Sequence, residues 1–178
     1  MELNRNIASR NLFLRIIILL FPIVVLFQGC TVSYKFTGAS TTGLKTFSVL
    51  YFQNRAPVVQ TGLSQAITDA LIDKCKAQTS LKYVSSTADA TFEGEISDYT
   101  TRPLTVAADA QAAVNRFTIS VKVKFTNANN PDLSFDQVFS RYEDYNSNLD
   151  LSAVESDLSA KIVEMLVEDI FNQAFVNW

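Results

Sequence analysis

Residues 116–126 read RFTISVKVKFT, and this stretch decides the fold class. Apolar side chains occupy every second position of it: Phe117, Ile119, Val121, Val123 and Phe125. The positions between them are polar: Arg116, Thr118, Ser120, Lys122 and Lys124. Because successive side chains of a β-strand point to opposite faces of the sheet, the alternation predicts a strand in a sheet with one buried face and one face in water.

The segment that follows predicts the partner of this strand. Residues 127–132 are rich in Asn and contain Pro131 and Asp132, which are typical turn residues, and they lead into a second strand at 133–145. The two strands should form a long antiparallel hairpin. The alternation slips between Phe135 and Val138, which predicts a β-bulge at that point.

Shorter strands are predicted upstream, at 44–52, 81–84 and 90–99. In the first of these, Phe47, Val49 and Tyr51 should face the core. A short strand is also predicted at 32–37. Residues 102–115, which contain an alanine-rich stretch, are predicted to form a loop.

Two helices complete the pattern. Thr61 is expected to cap a helix that runs to Gln78 and carries one apolar stripe: Leu63, Ala66, Ile67, Ala70, Leu71 and Cys75. Ser152 and Glu155 have the spacing of a capping box for a second helix that runs to about Val176. The apolar face of the second helix is wide, which predicts packing against both the sheet and the first helix. The expected fold class is α+β, with two helices on one face of a mixed, mostly antiparallel sheet of about four or five strands.

The N-terminal region has the features of a secretion signal. Arg5, Arg10 and Arg15 precede an apolar run at 16–27 that is too short to span a membrane, and the run ends at Gly29 and Cys30. The segment LFQGC at 26–30 resembles the bacterial lipobox, although a phenylalanine stands where an aliphatic residue is usual. We therefore expect residues 1–29 to be a lipoprotein signal peptide, Cys30 to be the lipidated residue, and residues 30–178 to form one periplasmic domain.

Composition excludes several classes of protein. Three of the 15 basic and one of the 18 acidic side chains lie in residues 1–29, which leaves 12 basic and 17 acidic ones and a net charge of −5 in residues 30–178. This acidic balance argues against a nucleic-acid partner. The chain has no histidine, which excludes His-dependent catalysis and ordinary zinc sites, and no glycine-rich phosphate loop. Neither a metal nor a cofactor is expected, and Cys75 is interpreted as a small buried hydrophobic residue.

Several segments together resemble a known family. They are FSVLYFQNRAPVVQTGLSQ at 47–65, FEGEISDYTT at 92–101, NRFTISVKVKFTN at 115–127, FSRYEDY at 139–145 and LVEDIFNQAFVNW at 166–178. With the lipobox, they resemble the divergent branch of the lipopolysaccharide-assembly lipoproteins, LptE. The resemblance implies two helices on a four-stranded sheet, a location in the outer membrane on the periplasmic side, partnership with the LptD β-barrel, and delivery of lipopolysaccharide to the outer leaflet without catalysis.

The water-exposed face of the strand at 116–126 supplies the candidate binding residues. Contact with lipopolysaccharide requires cations for the lipid A phosphates, and Arg116, Lys122 and Lys124 share that face. A plainer interpretation is that they pair with acidic neighbours such as Glu93, Glu95 or Asp136 and keep the face soluble. For the whole domain, the alternative function is capture of a small hydrophobic molecule between helices and sheet. A carboxylate hydrolase built on the Glu93-Gly94-Glu95 sequence has no support from the spacing.

Overall fold

Long antiparallel strands form most of the domain, as the alternating sequence at 116–126 predicts. The computed structural model describes residues 41–57, 60–104 and 113–176, all within one compact unit of the chain, Thr37–Trp178. The elements are, in chain order, β1 (Thr46–Val49), β2 (Gln53–Asn54), α1 (Leu63–Gln78), β3 (Lys82–Tyr83), β4 (Ala90–Leu104), β5 (Val114–Asn127), β6 (Phe135–Asn146) and α2 (Leu151–Phe171). A 3₁₀ turn at Pro131–Leu133 precedes β6, and a π-helical turn at Asn172–Val176 continues α2.

The strands form one mixed sheet in the order β3-β1-β4-β5-β6, with the short β2 also paired to β4. β1 runs parallel to β3 and β4, whereas β4, β5 and β6 are antiparallel to one another. Both helices contact the sheet, α1 at β1 and β3 and α2 at β5 and β6, and they also contact each other. The predicted α+β class is confirmed, as is the packing of the second helix against the first.

The core lies between the helices and the inner face of the sheet, and aromatic rings fill much of it. Phe92 and Phe125 lie side by side on β4 and β5, with ring centroids 4.8 Å apart. Phe175 meets the Phe92 and Phe125 rings edge-on, at 5.9 Å and 5.7 Å. Offset and edge-on ring pairs of this kind add to the stabilisation from burial. The opposite side of the sheet, which carries the polar positions of β5, is called the open face below.

The predicted caps of both helices are wrong. The N-cap of α1 is Gly62, in a left-handed conformation with φ of 90°, and not Thr61. The N-cap of α2 is Asp150, whose side chain makes no capping hydrogen bond, so Ser152 lies inside the helix. The Glu155 carboxylate is engaged elsewhere, because it accepts a hydrogen bond from the Tyr99 hydroxyl of β4.

The apolar stripe of α1 is also rotated relative to the prediction. Ala66 is exposed, and Ser64 and Thr68 are buried in its place. The Thr68 hydroxyl donates to the Ser64 carbonyl at 2.7 Å and accepts the backbone N–H of Phe52 at 3.2 Å. Because the hydroxyl both donates and accepts a hydrogen bond, its burial costs little free energy.

The first strand ends earlier than predicted. Tyr51 was expected to face the core, but Leu50 and Tyr51 are exposed and Phe52 is fully buried. The inward-facing position thus moves from residue 51 to residue 52, and the Phe52 ring lies directly over Gly94 of β4. A side chain at that position would collide with the ring, so the glycine permits the close approach.

The bulge lies in a different strand from the one predicted. β5 and β6 pair in continuous register from Val114 to Phe125, whereas the β4–β5 pairing shifts between Ile96 and Asp98. The slip in the β6 alternation arises because Val138 remains on the open face, 60% exposed.

The connection between β4 and β5 is shorter than predicted. β4 continues to Leu104 and β5 begins at Val114, so the predicted loop at 102–115 is shorter than expected.

The predicted strand at 32–37, the signal peptide at 1–29 and Cys30 lie outside the described residues.

Candidate functional site on the open face of the sheet

The three candidate cations lie on the open face of β5, as predicted. The strand pairing aligns each of them with one residue of β4 and one of β6. Lys124 lies between Glu93 and Asp136, and Lys122 lies between Glu95 and Val138. Arg116 is six positions from Lys122, or about 20 Å along the strand, so it belongs to a separate part of the face.

At the lysine end of the face, every candidate cation has an acidic neighbour. The Lys124 ammonium is 3.8 Å from a carboxylate oxygen of Glu93, and the Lys122 ammonium is 3.4 Å from one of Asp136. Arg55 lies 3.9 Å from Glu95 in the same way. The two lysines and the three carboxylates, without Arg55, line a shallow cleft of about 260 Å³. The plainer interpretation, in which the lysines pair across strands, describes their geometry correctly.

The arginine end of the face is more rigid. The Arg116 guanidinium donates to both carboxylate oxygens of Asp144, with Nε to Oδ1 at 2.8 Å and Nη2 to Oδ2 at 2.9 Å. It also stacks on the Tyr142 ring, 3.6 Å from the ring centroid. The hydrogen bonds from Arg116 lower the pKa of Asp144, and those to Asp144 raise the pKa of Arg116. Two bonds and a stacked ring fix this guanidinium in one orientation.

A second arginine extends the arginine end of the face. Arg102 of β4 lies directly opposite Arg116 in the pairing of the two strands. Like charges at directly opposed positions repel each other. The carboxylate of Asp144 on β6 offsets the charge of Arg116. Sequence reasoning missed Arg102, Tyr142 and Asp144. The hairpin supplied a signal for Asp144, because a turn centred on Asn130 places positions 116 and 144 at equal distance from it.

Hydroxyl groups occupy the middle of the face. The Ser120 and Ser140 hydroxyls are hydrogen-bonded at 2.9 Å, and the Ser97 hydroxyl at the bulge donates to the Ser120 carbonyl at 3.3 Å. The face is thus mostly polar, with charged groups at both ends, and Val138 and Tyr142 expose apolar surface between them. Such a surface can bind anions or pack against other polar surfaces.

The two glutamates of the Glu93-Gly94-Glu95 sequence do not act as a pair. The carboxylates of Glu93 and Glu95 lie beside separate cations, and within the described ranges no cluster of acidic or cysteine side chains is placed to hold a metal ion. Cys75 is fully buried in α1, and this burial raises the pKa of its thiol to about 12. A protonated, inaccessible thiol is not a nucleophile.

The candidate lipidation site, Cys30, lies outside the described residues. Of the helices in the described ranges, none is both long and apolar enough to cross a membrane.

The sequence matches a known family model. The model of the family LptE, described as lipopolysaccharide-assembly, matches residues 44–174. A search of curated protein sequences gives no match.

Solved structures of low sequence identity are similar to the chain. A minor lipoprotein from Acinetobacter baumannii has 13% identity and a TM-score of 0.44, and the alignment covers 73% of this chain and 91% of that one. An uncharacterized lipoprotein B from Nitrosomonas europaea has 17% identity and a TM-score of 0.45, with 72% and 80% covered. The hypothetical protein CT253 from Chlamydia trachomatis has 8% identity and a TM-score of 0.49, with 74% and 98% covered.

Proposed function

The chain belongs to the LptE lipopolysaccharide-assembly family, and on this basis we propose that it is an outer-membrane lipoprotein that partners the LptD β-barrel. In this role it assists assembly of the barrel and delivery of lipopolysaccharide to the outer leaflet, without covalent chemistry. The family match carries the proposal, because residues 44–174 include every helix and strand from β1 to α2.

Attachment to the membrane is assigned to Cys30. Residues 1–29 act as the signal peptide, and residues 30–178 remain as a single periplasmic domain. The order of basic residues, apolar run and cysteine supports this assignment. Each buried methylene of an acyl chain contributes about 0.8 kcal/mol, so two or more chains hold a protein at a membrane almost permanently.

The open face suits contact with the inside of a barrel. Barrel interiors are polar, and a partner inserted there needs a polar exterior without unbalanced charge. On this face Lys122, Lys124 and Arg116 each have a carboxylate beside them. The hairpin strands β4, β5 and β6 have 15, 14 and 12 residues, against the usual length of about 5 to 6, and therefore offer a long surface.

Contact with lipopolysaccharide is assigned to the same three cations. A lipid A phosphate has the charge to replace the carboxylates now beside them, since Arg and Lys bind both groups through the same N–H donors. Arg102, opposite Arg116, adds a further donor at the arginine end.

The packing of the core counts against the alternative function. Capture of a small hydrophobic molecule between helices and sheet needs an internal pocket, typically of about 300 to 1,000 Å³. The aromatic side chains of Phe92, Phe125, Phe171 and Phe175 contact one another in that space. The assembly role is the better supported of the two.

An affinity experiment tests the partnership. The tagged, lipidated protein is recovered from detergent-solubilised outer membranes, and co-purifying proteins are identified by mass spectrometry. We expect a large β-barrel of the LptD type in about equal molar amount. The Cys30→Ser variant is the control, and it should be lost from the membrane fraction. Recovery of the lipoprotein alone, under conditions that preserve other barrel complexes, would contradict the partnership.

A separate binding experiment tests the cations. The purified protein and a variant with Arg116, Lys122 and Lys124 all changed to Gln are titrated with lipopolysaccharide at low salt. The triple variant should bind at least about tenfold more weakly, because charge-assisted contacts of about 1.5 to 3 kcal/mol are lost. A control with Lys74, Lys76 and Lys161 changed to Gln removes the same charge from the two helices, away from the open face. Equal weakening in both variants would show that net charge alone governs binding.

A further inference from the structure

The second half of β4 has one unpaired edge. On the side of β4 away from β5, the pairing with β1 and β2 ends at Ile96, whose carbonyl accepts the Arg55 N–H at 2.9 Å. β4 continues from there to Leu104, and among the described residues only β5 pairs with this part of it. An unpaired strand edge presents backbone N–H and C=O groups to which another strand can bind.

The direction of the backbone groups along this edge follows from two observations. The Tyr99 N–H donates to the Asp98 side chain at 2.9 Å, so it points away from β5. Pro103 has no N–H, and proline is tolerated in a strand where that group would face away from the neighbouring strand. Because alternate residues direct their backbone groups to the same side, Tyr99, Thr101 and Pro103 all present theirs at the free edge.

The chain after β2 leaves the edge and turns towards α2. The Ala56 N–H donates to the side chain of Asn54 at 3.0 Å instead of to β4. The Gln60 side chain then accepts a hydrogen bond from the Ser159 hydroxyl of α2 at 3.2 Å. Both ends of this connection are thus held away from the second half of β4.

The side chains along the free edge of β4 also permit pairing. Charged side chains that point inward protect an edge strand, and the outer edge of β6 has Arg141 and Glu143 on the helix side of the sheet. On β4 the helix-side positions are Tyr99, Thr101 and Pro103, which carry no charge. The bulge after Ile96 and the proline at 103 limit the free stretch to residues 98–102.

Charges on the open face select the partner. Arg102 lies opposite Arg116, and no acidic side chain in the described ranges forms an ion pair with Arg102. Asp98 lies on the same face and accepts a hydrogen bond from the Thr100 hydroxyl at 3.3 Å. The stretch DYTTR at 98–102 therefore carries opposite charges at its two ends. Antiparallel pairing with a second copy of this stretch places each Asp98 opposite an Arg102.

We propose that two copies of this chain pair antiparallel through residues 98–102 of β4, about a two-fold axis at Thr100. The Tyr99 N–H then donates to the Thr101 carbonyl of the second copy, and the Thr101 N–H donates to the Tyr99 carbonyl, each bond occurring twice by symmetry. Asp98 faces Arg102 in a pair without mutual backbone hydrogen bonds, where opposed side chains are closest. The inference goes beyond the proposed function, does not depend on it, and concerns the protein in the absence of a barrel.

The pairing balances a charge that the single chain leaves unbalanced. Arg102 and Arg116 repel each other across β4 and β5, and Asp144 pairs with Arg116 alone. Asp98 of the second copy supplies the carboxylate for Arg102. The strands β4, β5 and β6 of both copies form one continuous antiparallel sheet, and the edge that could otherwise pair with unrelated strands is covered.

Disulfide cross-linking tests the pairing in the full-length, lipidated protein purified in detergent. Thr100 lies on the proposed axis and opposite its own copy, with Cα atoms about 4.5 Å apart, which is within the range of a disulfide. The test variant is Thr100→Cys. Its matched control is Thr118→Cys, because Thr118 is the neighbour of Thr100 on β5 and is similarly half-buried. The unsubstituted protein gives the background from Cys30 and Cys75.

Under mild oxidation, Thr100→Cys should form a covalent dimer at least about tenfold faster than Thr118→Cys, because only the first pair of thiols is aligned. Equal rates in the two variants would mean that the dimer forms by random collision or within a shared micelle, and would overturn the proposal. Absence of the dimer in Thr100→Cys also overturns it.

Exchange of the two charges tests the register. In the Thr100→Cys background, Asp98→Arg or Arg102→Asp alone places like charges opposite each other and should slow the cross-link at least about threefold. The two substitutions together restore opposite charges with their positions exchanged, and the rate should recover. Unchanged rates in the single variants, or no recovery in the combined one, would overturn the pairing of Asp98 with Arg102.

Discussion

Substitution of Gly94 by alanine tests the close approach of Phe52 to β4 most directly. An ideal Cβ at this position lies 2.3, 2.6 and 2.7 Å from Cε1, Cζ and Cδ1 of Phe52. Favourable contacts between carbon atoms are about 3.5 to 4.0 Å long, so the ring must move by about 1 Å or more. Phe52 is fully buried and its backbone N–H is bonded to Thr68, which leaves the ring little freedom. Overpacking of this kind costs about 1 to 3 kcal/mol.

In urea unfolding, Gly94→Ala should lower the free energy of unfolding by this amount, through a lower midpoint with the slope unchanged. The matched background is Phe52→Leu, in which a smaller side chain leaves room for the new methyl group. There the same substitution should cost less than about 0.5 kcal/mol, because alanine relieves the backbone entropy of glycine. An unchanged midpoint for Gly94→Ala, or the same loss in both backgrounds, would refute the collision with the ring.

Three further predictions concern single groups. Hydrogen bonds from Arg116 lower the pKa of Asp144 in the folded protein. The carboxylate therefore contributes its full stabilisation above its unfolded pKa of about 3.9. This stabilisation is lost as the pH falls through the folded pKa. Asp144→Asn should therefore make the free energy of unfolding, measured with urea at a series of pH values, less dependent on pH in the acid range. Cys75, whose pKa burial raises to about 12, should react with a thiol reagent only after unfolding, and rapid labelling of the native protein would disprove its burial. Tyr99→Phe should cost about 0.5 to 1.5 kcal/mol in thermal or urea unfolding through loss of its hydrogen bond to α2, and a neutral result would mean that the bond contributes nothing net.

The hairpin was predictable because its alternation is set by burial on one face only. The strand at 116–126 and its inward residues follow from that pattern, and the structure confirms them. Details that depend on tertiary partners were not predictable. Glu155 has the spacing of a capping box, but Tyr99 of a distant strand takes its carboxylate. The phase change at Phe52 depends on the space over Gly94, which no local pattern reveals.

The same distinction applies to the open face. The sequence places Arg116, Lys122 and Lys124 on one side of a strand. Lys124 pairs with Glu93 because the neighbouring strand carries acidic residues on the same face. The tight site around Arg116 was missed, because it requires the exact register of β5 with β6. Only that register brings Asp144 and Tyr142 to the same guanidinium.

The geometry ranks the three cations as phosphate ligands. Lys122 and Lys124 make single, half-exposed contacts of 3.4 and 3.8 Å with their carboxylates, and such surface pairs contribute about 0 to 1 kcal/mol. A phosphate can displace these carboxylates at little cost. Arg116 is held by two hydrogen bonds and a stacked ring, so displacement of Asp144 must overcome a more ordered arrangement. We therefore expect neutralisation of the two lysines to weaken lipopolysaccharide binding more than that of Arg116, whose pairing chiefly joins β5 to β6.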